Sequence, residues 1–396
     1  MKHYFFILLV LVVFSCQDDE PTVPIDPVAE VLDLPETPFD YANIPLSQFV
    51  NETVMGFDNT PNDNPITNNG ATLGRVLFYD KNLSQNNTIS CASCHKQENS
   101  FSDPDTKSLG FLGGMTRRNS MPLINVRFYQ DNRMFWDHRA ASIEDQVLMP
   151  IQDPVEMGIP IPELVEKLSD LEYYEDLFTN AFGDAEISPL RISRALSQFV
   201  RSINSFNTKY DEGLAQTGSI LQDFPNFTDQ ENLGRFIFTG QFDPELMGNC
   251  ASCHLPNSTP IFLDEANANH IIFSGNEPKN IGLDEDTNVE DNGVGESINV
   301  PSLNGFFKSP TIRNIELTGP YMHDGRFATL EEVIDHYSDG VKDHPNLSAT
   351  MRRPSGEPVH LDFTQEQKDA LIAFMKTLTD HDLVNEEKYS DPFINQ

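Results

Sequence analysis

The chain of 396 residues has only five cysteines and one tryptophan, and 26 Lys and Arg against 61 Asp and Glu, a formal net charge of −35. That shortage of positive charge excludes nucleic-acid binding, which needs a cationic footprint. Long apolar runs are also scarce. The run Tyr4–Phe14 follows Met1-Lys2-His3 and precedes Ser15-Cys16-Gln17-Asp18. A charged start, a short apolar stretch and a small residue before the cut read as a secretory signal, too short to span a bilayer comfortably. Cys16 stands where bacterial lipoproteins carry their lipidated cysteine, which predicts residues 1–16 as a lipoprotein-type signal peptide. A retained N-terminal anchor and plain secretion are the other readings. Residues 17–40, rich in Asp, Glu and Pro, suit a tether holding a domain off a membrane. The expected location is the periplasm or outer envelope, with the lipid at Cys16 as the one membrane attachment.

The other four cysteines fall in two copies of one motif, Cys91-Ala92-Ser93-Cys94-His95 and Cys250-Ala251-Ser252-Cys253-His254. C-x-x-C-H is the attachment sequence of a c-type haem: two thiols bond the vinyl groups and the following histidine ligates iron. No cysteine remains for a structural disulfide. A lone C-x-x-C could be half a zinc site or a redox dithiol. Zinc ribbons bring their pairs within a few tens of residues, whereas Cys94 and Cys250 lie far apart. A dithiol leaves unexplained why a histidine follows both pairs. Two haem c groups are the expectation, held by Cys91, Cys94 and His95 and by Cys250, Cys253 and His254.

The chain also repeats itself around these motifs. Leu73-Gly74-Arg75-Val76-Leu77-Phe78 precedes the first, and Leu233-Gly234-Arg235-Phe236-Ile237-Phe238 precedes the second. Thr228 and Glu231 form a capping box for the second copy, as do Thr364 and Gln367 before Leu371, Ile372, Met375 and Leu378. Pro162 opens a helix with Leu164, Val165, Leu168 and Leu171 on one face, stopped near Gly183. Another helix is predicted from about Ser188 to Phe206, with Leu190, Ala195, Phe199 and Ile203 as its apolar face. Long loops rich in Asn, Gly and Pro, notably 275–310, are tolerable because a haem supplies apolar core beneath them. The predicted fold is all-α, with two cytochrome c-like domains over 41–215 and 216–396, each carrying one covalent haem c.

From about residue 60 to 380 the chain resembles the bacterial dihaem cytochrome c peroxidase family, including its MauG branch. The stretches that carry the resemblance are Leu73-Gly74-Arg75 through His95, Phe135-Trp136-Asp137 through Glu156-Met157-Gly158, and Thr311-Ile312-Arg313-Asn314 through Asp324-Gly325. Two C-x-x-C-H motifs alone fit many electron carriers; the segment between them makes the match specific. The resemblance implies that the N-terminal haem meets peroxide and the C-terminal haem receives electrons. It further implies Trp136 between the haems, Gln146 and Pro150 in the distal pocket, and Glu156 as acid–base. The chemistry independently asks for such a carboxylate, because cleaving peroxide requires one group to take a proton from one oxygen and deliver it to the other. Without the family, Glu156 and Gln146 would be ordinary surface residues and Trp136 a core anchor. The resemblance also implies a calcium between the haems, with Asn119 as a side-chain ligand and Thr318 and Pro320 as backbone ligands, an oxygen-only set that suits this ion. Turn and helix-cap roles are the plain alternative for those three.

Two departures bear on mechanism. Many relatives rest with a histidine on the peroxide-side iron, yet residues 96–137 contain none, and Phe111 falls near its position. An open, five-coordinate first haem is therefore expected. At the other haem, Leu330-Glu331-Glu332-Val333-Ile334-Asp335-His336-Tyr337 places Tyr337 where the typical peroxidase has its axial methionine and where the MauG branch has tyrosine. Met raises a haem potential, whereas a phenolate favours oxidised iron. Met351, Met322 and His336 are the rival ligands.

The resulting expectation is a cytochrome-c peroxidase that reduces hydrogen peroxide to water with electrons from a small cytochrome c or similar redox protein. A MauG-like oxidase acting on a protein or small substrate, and a non-catalytic dihaem carrier, are the alternatives. The acidic surface serves either solubility or the steering of a basic donor. A homodimer is compatible with all three.

Overall fold

The computed structural model describes Met1 and residues 26–44, 54–129, 131–240, 250–254, 272–275, 277–286 and 290–395. The expected export signal with Cys16 lies outside the described residues, as does the tether up to residue 25. Among the described residues the regular structure is helical, and strand pairing is limited to isolated bridges. The architecture is two cytochrome c-like domains, each a pair of crossed helices around an apolar core.

The repeat seen in the sequence is a repeat in packing. In the first half, helix Asn68–Tyr79 crosses helix Pro189–Ser202; in the second, Asp229–Thr239 crosses Gln365–Lys376. Each crossing is set by a glycine. A Cβ on Gly74 would lie 2.0 Å from the Ala195 carbonyl oxygen, and one on Gly234 would lie 1.9 Å from that of Ala370. Only a residue without a side chain lets the backbones approach that closely. Phe199 and Phe374 then sit beside the two glycines, both fully buried, at equivalent places in separate cores.

Capping decides where several helices begin. Thr228 with Glu231 and Thr364 with Gln367 form the capping boxes read from the sequence, each side chain bonding the other's backbone N–H. Three expectations need correction. The helix expected from Pro162 to Gly183 is two helices, Ile161–Ser169 and Tyr173–Phe182. The break lets Tyr173 and Tyr174 both donate to the buried Asp80 carboxylate, at 2.9 and 2.7 Å. The helix expected to reach Phe206 ends at Ser202, where Asn204 donates to the carbonyls of Arg201 and Ser202. Leu190, placed on that helix's apolar face, points to solvent instead.

The two cores exchange chain at their margins. Leu383 and Tyr389, near the C-terminus, pack into the first core, and Tyr389 donates to the Ser202 carbonyl at 2.5 Å. Tyr210 and Leu214 of helix Lys209–Thr217 pack into the second. A buried Arg313–Asp211 pair, with contacts of 2.9 and 2.7 Å, ties that helix to the loop after the second motif.

Candidate active site

Ser90 and Ser93 form a capping box for the single turn Cys91–Cys94, which presents both thiols and His95 to one cavity. The His95 Nδ1–H donates to the Phe101 carbonyl at 2.8 Å. His254, at the end of turn Ala251–His254, donates in the same way to the Pro310 carbonyl at 3.2 Å. A ring whose Nδ1–H is committed to a carbonyl presents Nε2 as its basic nitrogen, the tautomer an iron ligand needs. Among the described residues no group of three or more His, Cys, Asp and Glu forms a metal-binding cluster.

The first cavity has a volume of about 1010 Å³ and is lined by Cys91, Cys94 and His95 together with Gln146, Pro150 and Glu156. The second, of about 180 Å³, is lined by Cys250, Cys253, His254, Tyr337, Met351 and Met322. The volume and donor set of the first fit a covalent haem; in the second, the donor set carries the fit. Trp136 lines both cavities, as do Asn119 and Lys308. The Trp136 indole donates to the Asn119 carbonyl at 2.9 Å, and its own carbonyl accepts from Lys308 N at 2.8 Å. The tryptophan is thereby fixed in the wall between the two sites.

Glu156 owes its position to a turn in which the Asp153 carboxylate accepts from Val155 N and Glu156 N, at 2.8 and 3.2 Å. Its carbonyl accepts from Phe111 N at 3.0 Å, pinning the loop after the first motif beside it. Burial, with Asp153 adding repulsion and Arg139 opposing, pushes the Glu156 carboxyl up to about 7. A group poised there takes and returns protons near neutral pH. Phe111, in the region where relatives carry the releasable histidine, lays its ring against Gly158. Met115 of the same loop reaches the cavity wall.

The internal repeat extends through this region at one constant offset. The bridge Met134–Ala140 corresponds to Tyr321–Phe327, the positive-φ pair Phe135 and His138 to Met322 and Gly325, and the helix cap Ser142 to Thr329. On this register Trp136 corresponds to His323, and Pro150 to Tyr337. Proline has no group to offer iron; tyrosine has a phenol. Tyr337 lies on the π-helical turn His336–Gly340, a local widening that often marks functional positions. Of its rivals, Met351 and Met322 line the second cavity too, whereas the His336 Nε2 is engaged with the Ile281 carbonyl at 3.0 Å. Asn119, Thr318 and Pro320 share a stretch of the second cavity's wall, with Asn119 reaching the first as well.

Fold and paired motifs define a dihaem c-type protein with a carboxyl raised toward neutrality at one of its two sites. The family model for di-haem cytochrome c peroxidase matches residues 68–219. The methylamine utilization protein MauG of Methylorubrum extorquens is 32% identical over 322 residues, covering 80% of each chain. The cytochrome c551 peroxidase of Nitrosomonas europaea is 30% identical over 314 residues, covering 78% of this chain and 79% of its own. Among solved structures, a MauG-like protein associated with microbial copper homeostasis is 32% identical with a TM-score of 0.72, over 88% of this chain and 99% of its own. The diheme peroxidase BthA of Burkholderia thailandensis, 22% identical with a TM-score of 0.64 over 82% and 89% of the two chains, shares the fold. The chain belongs to the di-haem cytochrome c peroxidase/MauG family, and two haem c groups are its cofactors.

Proposed function

We propose that this is a peroxidase of the cell envelope that reduces hydrogen peroxide to water at the first cavity, with electrons entering at the second. The observation that carries the reading is Glu156, a carboxyl held near neutrality at the wall of the cavity that contains His95. His95 and His254 would hold the iron, and haem supplies the redox chemistry when bound. The chain's own residues do the rest. Glu156 takes a proton from one peroxide oxygen and returns it to the leaving one. Gln146 would orient peroxide by hydrogen bonding, Pro150 offers no donor atom to iron where the second half has Tyr337, and Trp136 would bridge the two sites. Asn119, Thr318 and Pro320 offer oxygens for a calcium in the wall they share.

The electron donor in this reading is a small basic cytochrome or similar redox protein, attracted by the acidic surface. Lipidation of Cys16 would hold the protein at a membrane, and metabolic labelling with a fatty acid, abolished by Cys16→Ser, tests that point. A second reading, a MauG-like oxidase acting on a protein or small substrate, is favoured by Tyr337. A phenolate ligand stabilises oxidised iron and suits retention of oxidising equivalents over rapid re-reduction. The deciding experiment loads the protein with haem, adds peroxide, and follows decay of the oxidised state with and without reduced cytochrome c. Fast decay coupled to cytochrome oxidation supports the peroxidase; slow decay indifferent to cytochrome supports the oxidase.

A further inference from the structure

His138 occupies a backbone conformation that its counterpart in the second half fills with glycine. Its φ is 57°, and that of Gly325 is 69°. A side chain in this region carries a strain cost that glycine avoids. What the histidine gains is a specific set of partners. The Tyr129 hydroxyl donates to His138 Nε2 at 3.1 Å, and His138 Nδ1 donates to the Asp131 carboxylate at 2.9 Å. Tyr129 and His138 are 3% and 3% exposed, while Asp131 reaches the surface. Tyr129 also lines the first cavity, along with Met134 and Trp136. The result is a tyrosine–histidine–aspartate relay running from the cavity wall outward.

We propose that Tyr129 is a redox-active residue that surrenders one electron to the peroxide-oxidised first site and its phenolic proton to His138. The step balances. The oxidant, one equivalent from the peroxide reaction, gains the electron; the Tyr129 O–H bond breaks, leaving a neutral phenoxyl radical. The proton forms a new N–H bond at His138 Nε2, and the Asp131 carboxylate meets the imidazolium charge through Nδ1–H. His138 is neutral at rest, because burial, with Lys308 and Arg133 nearby, pushes it down to about 4. A phenol that has lost an electron is a far stronger acid than imidazolium, so the transfer runs downhill even to this base. Lys308 places its Nζ 3.4 Å from the centre of the Tyr129 ring and donates to the Arg133 carbonyl at 3.2 Å, and burial pushes its ammonium down to about 7, so part of the population is charged near neutral pH. In its charged form it disfavours positive charge on the ring, which favours loss of the proton together with the electron. The relay gives the site a second oxidisable residue besides Trp136, with its own proton acceptor.

This inference rests on peroxide chemistry at the first cavity, and the test separates the two. The haem-loaded protein, grown with ring-deuterated or ordinary tyrosine, is mixed with peroxide and freeze-quenched for electron paramagnetic resonance. In parallel it is oxidised without peroxide by a flash-generated ruthenium tris-bipyridine oxidant. The expected result is a radical signal narrowed by ring deuteration and lost in Tyr129→Phe at unchanged haem content. His138→Gly, which restores the conformation Gly325 adopts, should shorten its lifetime by about tenfold or more, the scale of one charge-assisted hydrogen bond. A signal after the flash but not after peroxide would support the relay and overturn the peroxide reading. No tyrosyl signal by either route, one that persists in Tyr129→Phe, or a lifetime unchanged in His138→Gly would overturn the relay.

Discussion

Glu156 is where a carboxyl's ionisation and its position meet. Glu156→Gln keeps shape and hydrogen bonding but exchanges no proton near neutral pH. With both haems loaded, peroxide turnover should fall about 10²- to 10⁴-fold, the usual contribution of acid–base catalysis. Because the carboxyl is raised to about 7, its proton-accepting form is scarce on the acid side and accumulates as pH rises. Peroxide reactivity should therefore climb through about pH 7, and that limb should vanish in Glu156→Gln; a parent profile flat across that range would remove Glu156 from the step. At this scale the grouping of each motif's cysteines and histidine at one cavity was legible, since C-x-x-C-H sets it by spacing. That Glu156, Gln146 and Trp136 meet at the first cavity was legible through resemblance alone. The Tyr129–His138–Asp131 relay was not, because nothing in its residue types announces that a left-handed turn brings the three together. Nor was the burial of Lys308, a residue that sequence reasoning places on the surface.

The helical elements show the repeat more plainly than their residues do. Leu-Gly-Arg before each motif was readable, but the reason for the glycine, backbone contact near 2 Å for any added Cβ at both Gly74 and Gly234, is a tertiary fact. Gly74→Ala and Gly234→Ala should each cost about 1–3 kcal/mol, the range for overpacked interiors, seen as a lower urea midpoint of the haem-loaded protein. Equal stability in either variant would mean that the crossing relaxes freely. The extension of the repeat through Trp136 and His323 escaped the sequence reading because identity between the halves there is low. The break between Ser169 and Tyr173 escaped it because no proline or glycine marks it; the attraction of two tyrosines to buried Asp80 does. The same register that pairs Pro150 with Tyr337 yields a prediction at the second site. Tyr337→Met should raise the potential of that haem in a spectroelectrochemical titration. An unchanged potential, or a methionine–iron charge-transfer band in the parent protein, would point to Met351 or Met322 instead.

For the molecule as a whole, two cavities share a wall, and the proposed function divides the work between a site that meets peroxide and a site that meets electrons. The net charge of −35 gives the whole chain a negative field that attracts a basic donor from a distance. Its second-order rate with a basic cytochrome should fall as salt rises, because screening shortens the reach of that field to about 10 Å at 0.1 M. A salt-independent rate would assign the acidity to solubility alone. The two-domain, two-haem organisation was legible from spacing and repetition, whereas the ties that draw distant chain into each core, Arg313 to Asp211 and Tyr389 to the Ser202 carbonyl, join residues far apart in sequence. The central claim is that the first site stands open, with Pro150 where Tyr337 stands in the second and no histidine in the loop that carries Phe111. Stopped-flow mixing of the fully oxidised, haem-loaded protein with one equivalent of peroxide, in the absence of any reductant, tests it most directly. The account predicts immediate stoichiometric consumption of peroxide with a change in the first haem's spectrum; a protein inert to peroxide until one haem is reduced would contradict it.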